Sequence, residues 1–295
     1  MMKVGIAMAV HNVENFIIPT LKAIQSQTYK DFVCYIVDDW STDNSIQIIY
    51  EMFCKQDERF KLYINCTDKT KPYIDAHNLS YQLCDTEYII RLDGDDIPDK
   101  TLVEKYVEFM DKHHEYDACC STVIPKWSNS LTGQLENPGE SKEVWPDLKR
   151  RWFDVFPNDE ATDKFNESPA LEHVFHPLSW CNQCSCIRRD ILLKYKLKFK
   201  YSSYGDYMFW TEFFSFGGTA YKLKDKLLIY RIHKDSISHT GNWFKVNYYF
   251  ELDLAKAKVR LLKIENKPED AAKIRVFENT VRYFENLIKK EELQQ

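Results

Sequence analysis

Glycine is scarce, with eight among 295 residues. A chain so poor in it has little of the texture of flexible linkers or low-complexity segments. With 18 Tyr, 18 Phe and 7 Trp beside it, the composition predicts a packed globular protein with aromatic-lined surfaces. Long apolar runs are also missing. None approaches the roughly 20 residues a membrane-spanning helix needs, and the first, Val4 to Val10, is too short and too lightly flanked for a signal peptide. It reads as a first strand. An excess of positive charge is absent as well: the formal net charge of −5 offers no general attraction to nucleic acid or anionic lipid. The nine cysteines are odd in number and follow no regular framework, which fits reduced thiols. The expectation is a soluble, cytoplasmic chain, at most peripheral at a membrane. Three matches to the glycosylation acceptor pattern, at Asn65, Asn78 and Asn166, are discounted because they need a secretory route. There is no internal repeat.

What is present is acidic residues at strand ends. Asp93-Gly94-Asp95-Asp96 follows directly on the apolar run Tyr88 to Leu92. Oxygen ligands crowded there suit a hard divalent ion, Mg²⁺ or Mn²⁺, completed by substrate phosphates rather than by a protein cage. Asp38-Asp39 ends a second apolar run that starts at Phe32. In an open α/β sheet ligands bind outside the carboxyl ends of the strands, so two acidic strand ends predict one shared crevice. Either motif alone is equally well read as a solvated turn.

The first third alternates strand-like and helix-like segments. Strands are expected at Val4 to Val10, Phe32 to Val37, Phe60 to Ile64 and up to Leu92; helices are expected at Glu14 to Gln27, from about Asn44, near Tyr73 to Cys84, and at Thr101 to Lys112. Such a βαβ series predicts an α/β fold, a Rossmann-like, mostly parallel sheet sandwiched by helices. After a strand through Cys119 to Ile124 comes a Trp-rich, Pro-punctuated stretch from Lys126 to Pro177 without periodicity. A strand near Trp180 to Ile187, a helix from about Asp206 to Gly217 and a strand at Leu227 to Ile232 follow. Past Asn242 a helical tail is expected, broken at Lys267-Pro268, with Ile274, Phe277, Val281, Phe284 and Ile288 at helical spacing. That stripe either packs on its own domain or forms a dimer or membrane surface.

Five motifs, in order, carry a resemblance. Ala9-Val10-His11-Asn12, Val37-Asp38-Asp39-Trp40-Ser41-Thr42-Asp43, Asp93-Gly94-Asp95-Asp96, Gly205-Asp206-Tyr207 and the run from Tyr230 to Ser238 together resemble the family 2 glycosyltransferases of GT-A fold. The resemblance covers about residues 3 to 240 and divides the chain into a nucleotide-sugar-binding part (1–112), an acceptor-binding part (113–240) and a C-terminal helical extension (241–295). It implies sugar transfer from a nucleoside diphosphate donor, a UDP-sugar first among them, to the hydroxyl of a glycan or other acceptor, with inversion. Ala9, His11 and Asn12 would line the donor side, Asp39 would hydrogen-bond the nucleotide base, and Asp93 would support the ribose or diphosphate. Asp95 would be the principal ligand of Mn²⁺ or Mg²⁺, helped by Asp93 and His233, and Arg231 would contact phosphate. Asp206 would be the general base, although an Asp at a helix start is also explained by the helix dipole. A homodimer through the C-terminal helices is a further expectation.

Several positions depart from the family's pattern. Gly205 stands where an acidic residue commonly precedes the base, and Met208 replaces another frequently acidic place. His77 occupies a position often held by Arg, while Lys71 is near enough in sequence to bring positive charge to the diphosphate. Trp40 stands where a small residue is common. These changes keep a catalytically inactive nucleotide-sugar-binding relative in view. A nucleotidyltransferase is the other rival, but no Gly-rich, Lys/Arg-bearing loop follows the first strand to grip a triphosphate. His173-x-x-His176 and Cys181-x-x-Cys184 have zinc-like spacings, but a strand from Trp180 to Ile187 would turn neighbouring ligands to opposite faces, which favours buried thiols. Trp127, Trp145, Trp152 and Trp180 fall in the acceptor half, where flat faces could stack on sugars or simply fill the core.

Overall fold

The computed structural model describes residues 2–66, 73–136, 165–175, 184–201, 204–236 and 248–293. Lys71, His176, Cys181, Trp145, Trp152 and Trp180 lie outside the described residues.

Four strands form the first half of the sheet: β1 (Val4–Val10), β2 (Phe32–Asp38), β3 (Phe60–Ile64) and β4 (Tyr88–Leu92). They pair in parallel in the order β3-β2-β1-β4. β1, β2 and β4 are near-continuous apolar sequences, as parallel strands covered on both faces require, and β4 is buried along its whole length; β3, at the sheet edge, exposes Lys61, Tyr63 and Ile64. The crossovers are helical. α1 (Ile17–Gln25) buries Ile17, Leu21 and Ile24 on one face, and α4 (Leu102–Lys112) buries Leu102, Val103, Tyr106, Val107 and Met110. α3 spans Ile74–Leu83. α2 (Ser45–Ile49) continues as a wider π-helical turn over Tyr50–Cys54, which keeps Phe53 in the core.

The order β3-β2-β1-β4 reverses direction at β1, so a topological switch point opens between the carboxyl ends of β1 and β4, the place where such sheets bind ligands. His11 and Asn12 leave β1 there and Asp93 leaves β4. The remaining strands extend the sheet beyond β4 as β8-β6-β9-β5. β8 (Cys184–Arg188) runs antiparallel to β4 and to β6 (Ala118–Ser128), β6 runs parallel to β9 (Ala220–Ile232), and β5 (Ile97–Pro98) runs antiparallel to β9. The β5–β9 pairing brings the end of β9, with Arg231 and His233, against the acidic loop that precedes β5. One sheet therefore crosses the expected donor and acceptor parts.

Two boundaries differ from the sequence reading for a clear reason. β9 starts at Ala220, seven residues before Leu227: Ala220 and Lys222 are buried, whereas Lys224 and Lys226, at the same alternation, are exposed where the β6–β9 register shifts between Ser121 and Val123. The lysines and the break in register hid the first half of the strand, because polar residues fall on what is elsewhere its buried face. The stretch expected to be irregular also carries structure within its described residues: β6 runs on to Ser128, β7 (Leu135–Glu136) pairs with it, and α5 covers Pro169–Phe175.

The remaining helices are α6 (Arg189–Lys194), α7 (Gly205–Ser215), α8 (Tyr248–Glu265) and α9 (Ala271–Glu292). α8 packs on α7, and α9 packs on α8. The stripe on α9 faces α8: Ile288 is buried, Ile274, Phe277, Val281 and Phe284 are half-buried, and Lys256–Glu285 and Lys263–Glu278 pair across the two helices at 3.1 and 2.8 Å. No described helix is long and apolar enough to cross a membrane. The eight described cysteines are all free.

Candidate active site

Close approach of the acidic loop to β1 begins with Gly94. A Cβ there would stand 2.7 Å from Val10 Cγ1, so the missing side chain lets the loop after β4 lie directly on the end of β1. The three carboxylates of that loop then take different environments. Asp96 is buried; its Oδ1 accepts from the Arg231 main-chain N–H at 2.9 Å and its Oδ2 has no hydrogen-bond partner. Burial, with Asp95 and Asp93 beside it, pushes its carboxyl well up. Asp96 thus braces the loop. Asp93 and Asp95 keep about a quarter of their side chains exposed to the crevice. Burial also raises Asp93, reinforced by the charges of Asp95 and Asp206 against the pull of Arg91. For Asp95 burial is outweighed by His233, whose Nε2 donates to Oδ2 at 3.1 Å and holds the carboxyl down. His233 stacks on Phe16 at 4.1 Å, and its Nδ1 has no partner.

Arg231, expected on the phosphate, is fully buried. Its guanidinium donates to the Asp95 carbonyl, to the Phe16 carbonyl and Thr20 Oγ1 at 2.7 Å each, and to the Gly133 carbonyl. Those donors are spent on fastening the acidic loop to α1 and to the turn before β7, which is a different task from a direct phosphate contact. Removing them leaves buried acceptors unsatisfied. Arg231→Ala is expected to lower folding stability by about 3 kcal/mol, the scale for breaking a buried charged network, as read by denaturant unfolding.

On the other side of β1, Asp39 follows β2 and is 4 % exposed. Its carboxylate accepts from Asn65 Nδ2 at 2.8 Å and from the Tyr73 main-chain N–H, while its own carbonyl accepts from His11 Nδ1 at 2.6 Å. Asn12 Oδ1 receives the Thr42 N–H at 2.8 Å, and the Asn12 N–H donates to Ser41 Oγ at 2.9 Å. The loops after β1 and β2 are thereby one unit, with Ala9 beneath them at the end of β1. Asn12, Trp40, Tyr73 and Tyr204 all have positive φ, between 51° and 71°. Such backbone is strained for residues with a Cβ and persists only where the surroundings fix it.

Asp206 lies in the first turn of α7 and reaches the same crevice. Its Oδ2 accepts from Arg91 Nη1 at 3.0 Å and its Oδ1 from the Tyr73 hydroxyl at 3.0 Å. Burial opposes its ionisation, but the Arg91 guanidinium more than offsets this and holds the carboxyl below the usual range. Arg91 also grips both oxygens of Asp93, at 3.0 and 3.2 Å. Donor-side and acceptor-side carboxylates thus share one guanidinium.

His77 is buried on α3, with its ring 4.2 Å from that of Tyr73 and 4.9 Å from that of Phe199. Burial, aided by Arg91, drives it well below the ordinary histidine range, so it is neutral there and brings no cation to a diphosphate. His173, from the zinc-like spacing, is buried between Tyr207 and Phe214, and Trp127 is a core residue of β6.

Arg91, Tyr73 and Asn65 escaped the sequence reading. Arg91 had a signal: a lone cation inside a five-residue buried strand must meet buried anions, and the nearest lie two residues on. Tyr73 and Asn65 had none, since both act through contacts with residues far away in the chain.

Among the described residues no group of three or more His, Cys, Asp or Glu is assembled to enclose a metal ion. Asp93 and Asp95 nevertheless fit one. They are hard oxygen donors, open to the crevice and mutually repelling, the pattern of a site that one or two carboxylates share with substrate phosphates.

Comparison with known proteins follows this geometry. Residues 5–175 match the model of Glycosyl transferase family 2. The chain is 35% identical over 114 residues to the putative glycosyltransferase EpsE of Bacillus subtilis, a match spanning 39% of this chain and 40%, less than half, of that protein. It is 26% identical over 243 residues to the Escherichia coli UDP-Glc:alpha-D-GlcNAc-diphosphoundecaprenol beta-1,3-glucosyltransferase WfaP, spanning 82% and 81% of the two chains. In fold it is similar to S. aureus TarS 1-349 in complex with UDP-GlcNAc (TM-score 0.59, 16% identity, 96% of this chain and 80% of that one). It is also similar to the mannosyltransferase PcManGT from Pyrobaculum calidifontis in complex with GDP-Man and Mn²⁺ (TM-score 0.56, 13% identity, 99% and 76%). With its motifs in order on a GT-A-type sheet and more than half its length matched, the chain belongs to glycosyltransferase family 2.

Proposed function

We propose that this protein transfers a sugar from a nucleoside diphosphate sugar to an acceptor hydroxyl, with inversion by direct displacement and with a divalent metal at Asp93 and Asp95. The observation that carries the reading is Asp206: an ionised carboxylate, 24 % exposed, fixed beside the acidic pair by Arg91. A base poised at the acceptor side of a metal-diphosphate site is what an inverting transfer needs.

Asp39, with Asn65 holding its carboxylate, offers an acceptor to the ring N–H of the nucleotide base, and the His11–Asn12 loop closes the donor side. Residues 1–112 provide this donor half. The diphosphate lies toward Asp93 and Asp95, with His233 orienting Asp95. Mn²⁺ or Mg²⁺ held there supplies positive charge against the diphosphate. Asp206 takes the proton of the acceptor hydroxyl as its oxygen attacks the anomeric carbon from the face opposite the diphosphate, which leaves as the bond to it breaks. Arg91 keeps Asp206 ionised and spaces it from Asp93. Arg231 acts from beneath, by holding the loop. Lys71 remains the candidate cation for the diphosphate.

Uridine diphosphate is the favoured carrier, because WfaP is named for UDP-Glc and TarS was captured with UDP-GlcNAc. The diphosphoundecaprenol acceptor in WfaP's name supports a lipid-linked glycan acceptor and a peripheral place at a membrane, with acceptor recognition in residues 113–240. Calorimetric titration with UDP and GDP in Mn²⁺ tests the donor half. Asp39→Ala is expected to weaken UDP binding by about tenfold, the worth of one hydrogen bond to a charged group, and to leave Mn²⁺ binding near that of the parent. Loss of turnover with unchanged nucleotide affinity would remove Asp39 from base recognition.

A further inference from the structure

Tyr73 joins the two halves of the crevice through different parts of one residue. Its main-chain N–H donates to Asp39 Oδ2, and its hydroxyl donates to Asp206 Oδ1 at 3.0 Å while accepting from Arg91 Nη2 at 3.3 Å. Its backbone is held at φ 71°, a conformation that tyrosine adopts only when its surroundings impose it. Those surroundings are visible: the ring meets His77 edge-on at 4.2 Å and Phe199 edge-on at 6.2 Å. The start of α7 lies beside the ring: a Cβ at Gly205 would make ordinary contact with Tyr73 Cε1 at 3.4 Å.

We propose that Tyr73 is a positioning residue for sugar transfer, fixing the Asp206 carboxylate toward the acceptor hydroxyl from an anchor on the donor-reading Asp39. The proposal rests on the assignment of Asp206 as the base. A carboxylate bonded through one oxygen to Arg91 alone can swing about that bond. The second bond, to the phenol, fixes its plane and leaves a lone pair on each oxygen for a proton. A near-attack geometry depends on such fixing, and small displacements of the acting group are costly in rate. Burial and the nearby Asp206 charge hold the phenol far above its ordinary titration range, so it stays a donor and takes no proton itself. The anchor on Asp39 completes the bridge: the main chain of Tyr73 is tied to one carboxylate and its phenol to the other.

Tyr73→Phe removes the hydroxyl and keeps the ring. Transfer measured at saturating donor and acceptor is expected to lose about tenfold in kcat, the scale of a hydrogen bond to a charged group, while donor KM and the calorimetric affinity for UDP with Mn²⁺ stay within about twofold. In the Asp206→Asn background the same substitution is expected to cost no more than about twofold, because a residue acting through Asp206 has nothing left to act on. A Tyr73→Phe enzyme with unchanged or raised kcat, an equal fall in donor affinity and kcat, or an undiminished loss in the Asp206→Asn background would each overturn the role. Near-normal transfer by Asp206→Asn itself would instead strike the base assignment, so the two failures are distinguishable. Matching thermal unfolding of parent and variant confirms that the comparison is made between folded enzymes.

Discussion

Asp206→Asn is expected to lower sugar transfer by about 10²-fold or more, the contribution of a positioned general base, with donor affinity almost unchanged. The substitution keeps the shape and both hydrogen-bonded contacts within reach but cannot accept a proton. The loss falls on kcat because the missing interaction belongs to the transition state. The same carboxylate sets the pH dependence. Arg91 outweighs the burial of Asp206 and holds its carboxyl below the usual range, so the base is ionised throughout neutral and mildly acidic pH. The acid limb that Asp206 sets in kcat should therefore lie below that of an ordinary exposed aspartate, with the rate at saturating donor and metal falling as pH drops through the lowered value; protonation of the raised Asp93 acts separately, on metal and donor binding. Saturating steady-state assays over a pH series read both effects. Near-normal transfer by Asp206→Asn, with chemistry limiting, would reject the role.

Asp95→Ala is expected to abolish metal-dependent donor binding. Donor phosphates approach a loop whose Asp93 and Asp95 face the crevice, and without a cation between them the like charges repel. Asp95 is the more exposed partner of His233 and the one held ionised in the loop, so its removal takes away the strongest anchor for that cation. Calorimetric titration of UDP should show heat with Mn²⁺ for the parent, none measurable for the variant, and none for the parent in excess chelator. Equal affinity in chelator and in Mn²⁺ would remove the metal from Asp95.

The parallel half of the sheet was readable because β1, β2 and β4 are near-continuous apolar runs and α1 repeats its apolar residues at helical spacing; Phe60 to Ile64 and Leu92 fall where the pattern put them. β9 was half missed because Lys222, Lys224, Asp225 and Lys226 make its first half read as polar and a register shift there breaks the alternation. The acidic loop and Asp206 were legible as short motifs, and the structure brings them to one crevice. What the motifs did not carry is division of labour. Asp96 follows Asp95, and Arg231 lies two residues before His233, yet their side chains point into the protein and brace the loop. His77, which occupies a position often held by Arg, is enclosed by aromatic rings and neutral. Tyr73 and Asp206 are far apart in sequence, and no local pattern reports that one phenol reaches the other's carboxylate. Burial and long-range contact decide these roles, and neither is a property of a short window.

Release of nucleoside diphosphate from a panel of UDP- and GDP-sugars, assayed with Mn²⁺, Mg²⁺ or chelator and with lipid-linked glycan acceptors, tests the central claim most directly. The account predicts release that needs metal, rises on adding acceptor, is greatest for a UDP-sugar and yields a product of inverted anomeric configuration. Donor binding with metal but no release across the panel would contradict it, and would mark the chain as a nucleotide-sugar-binding relative without turnover.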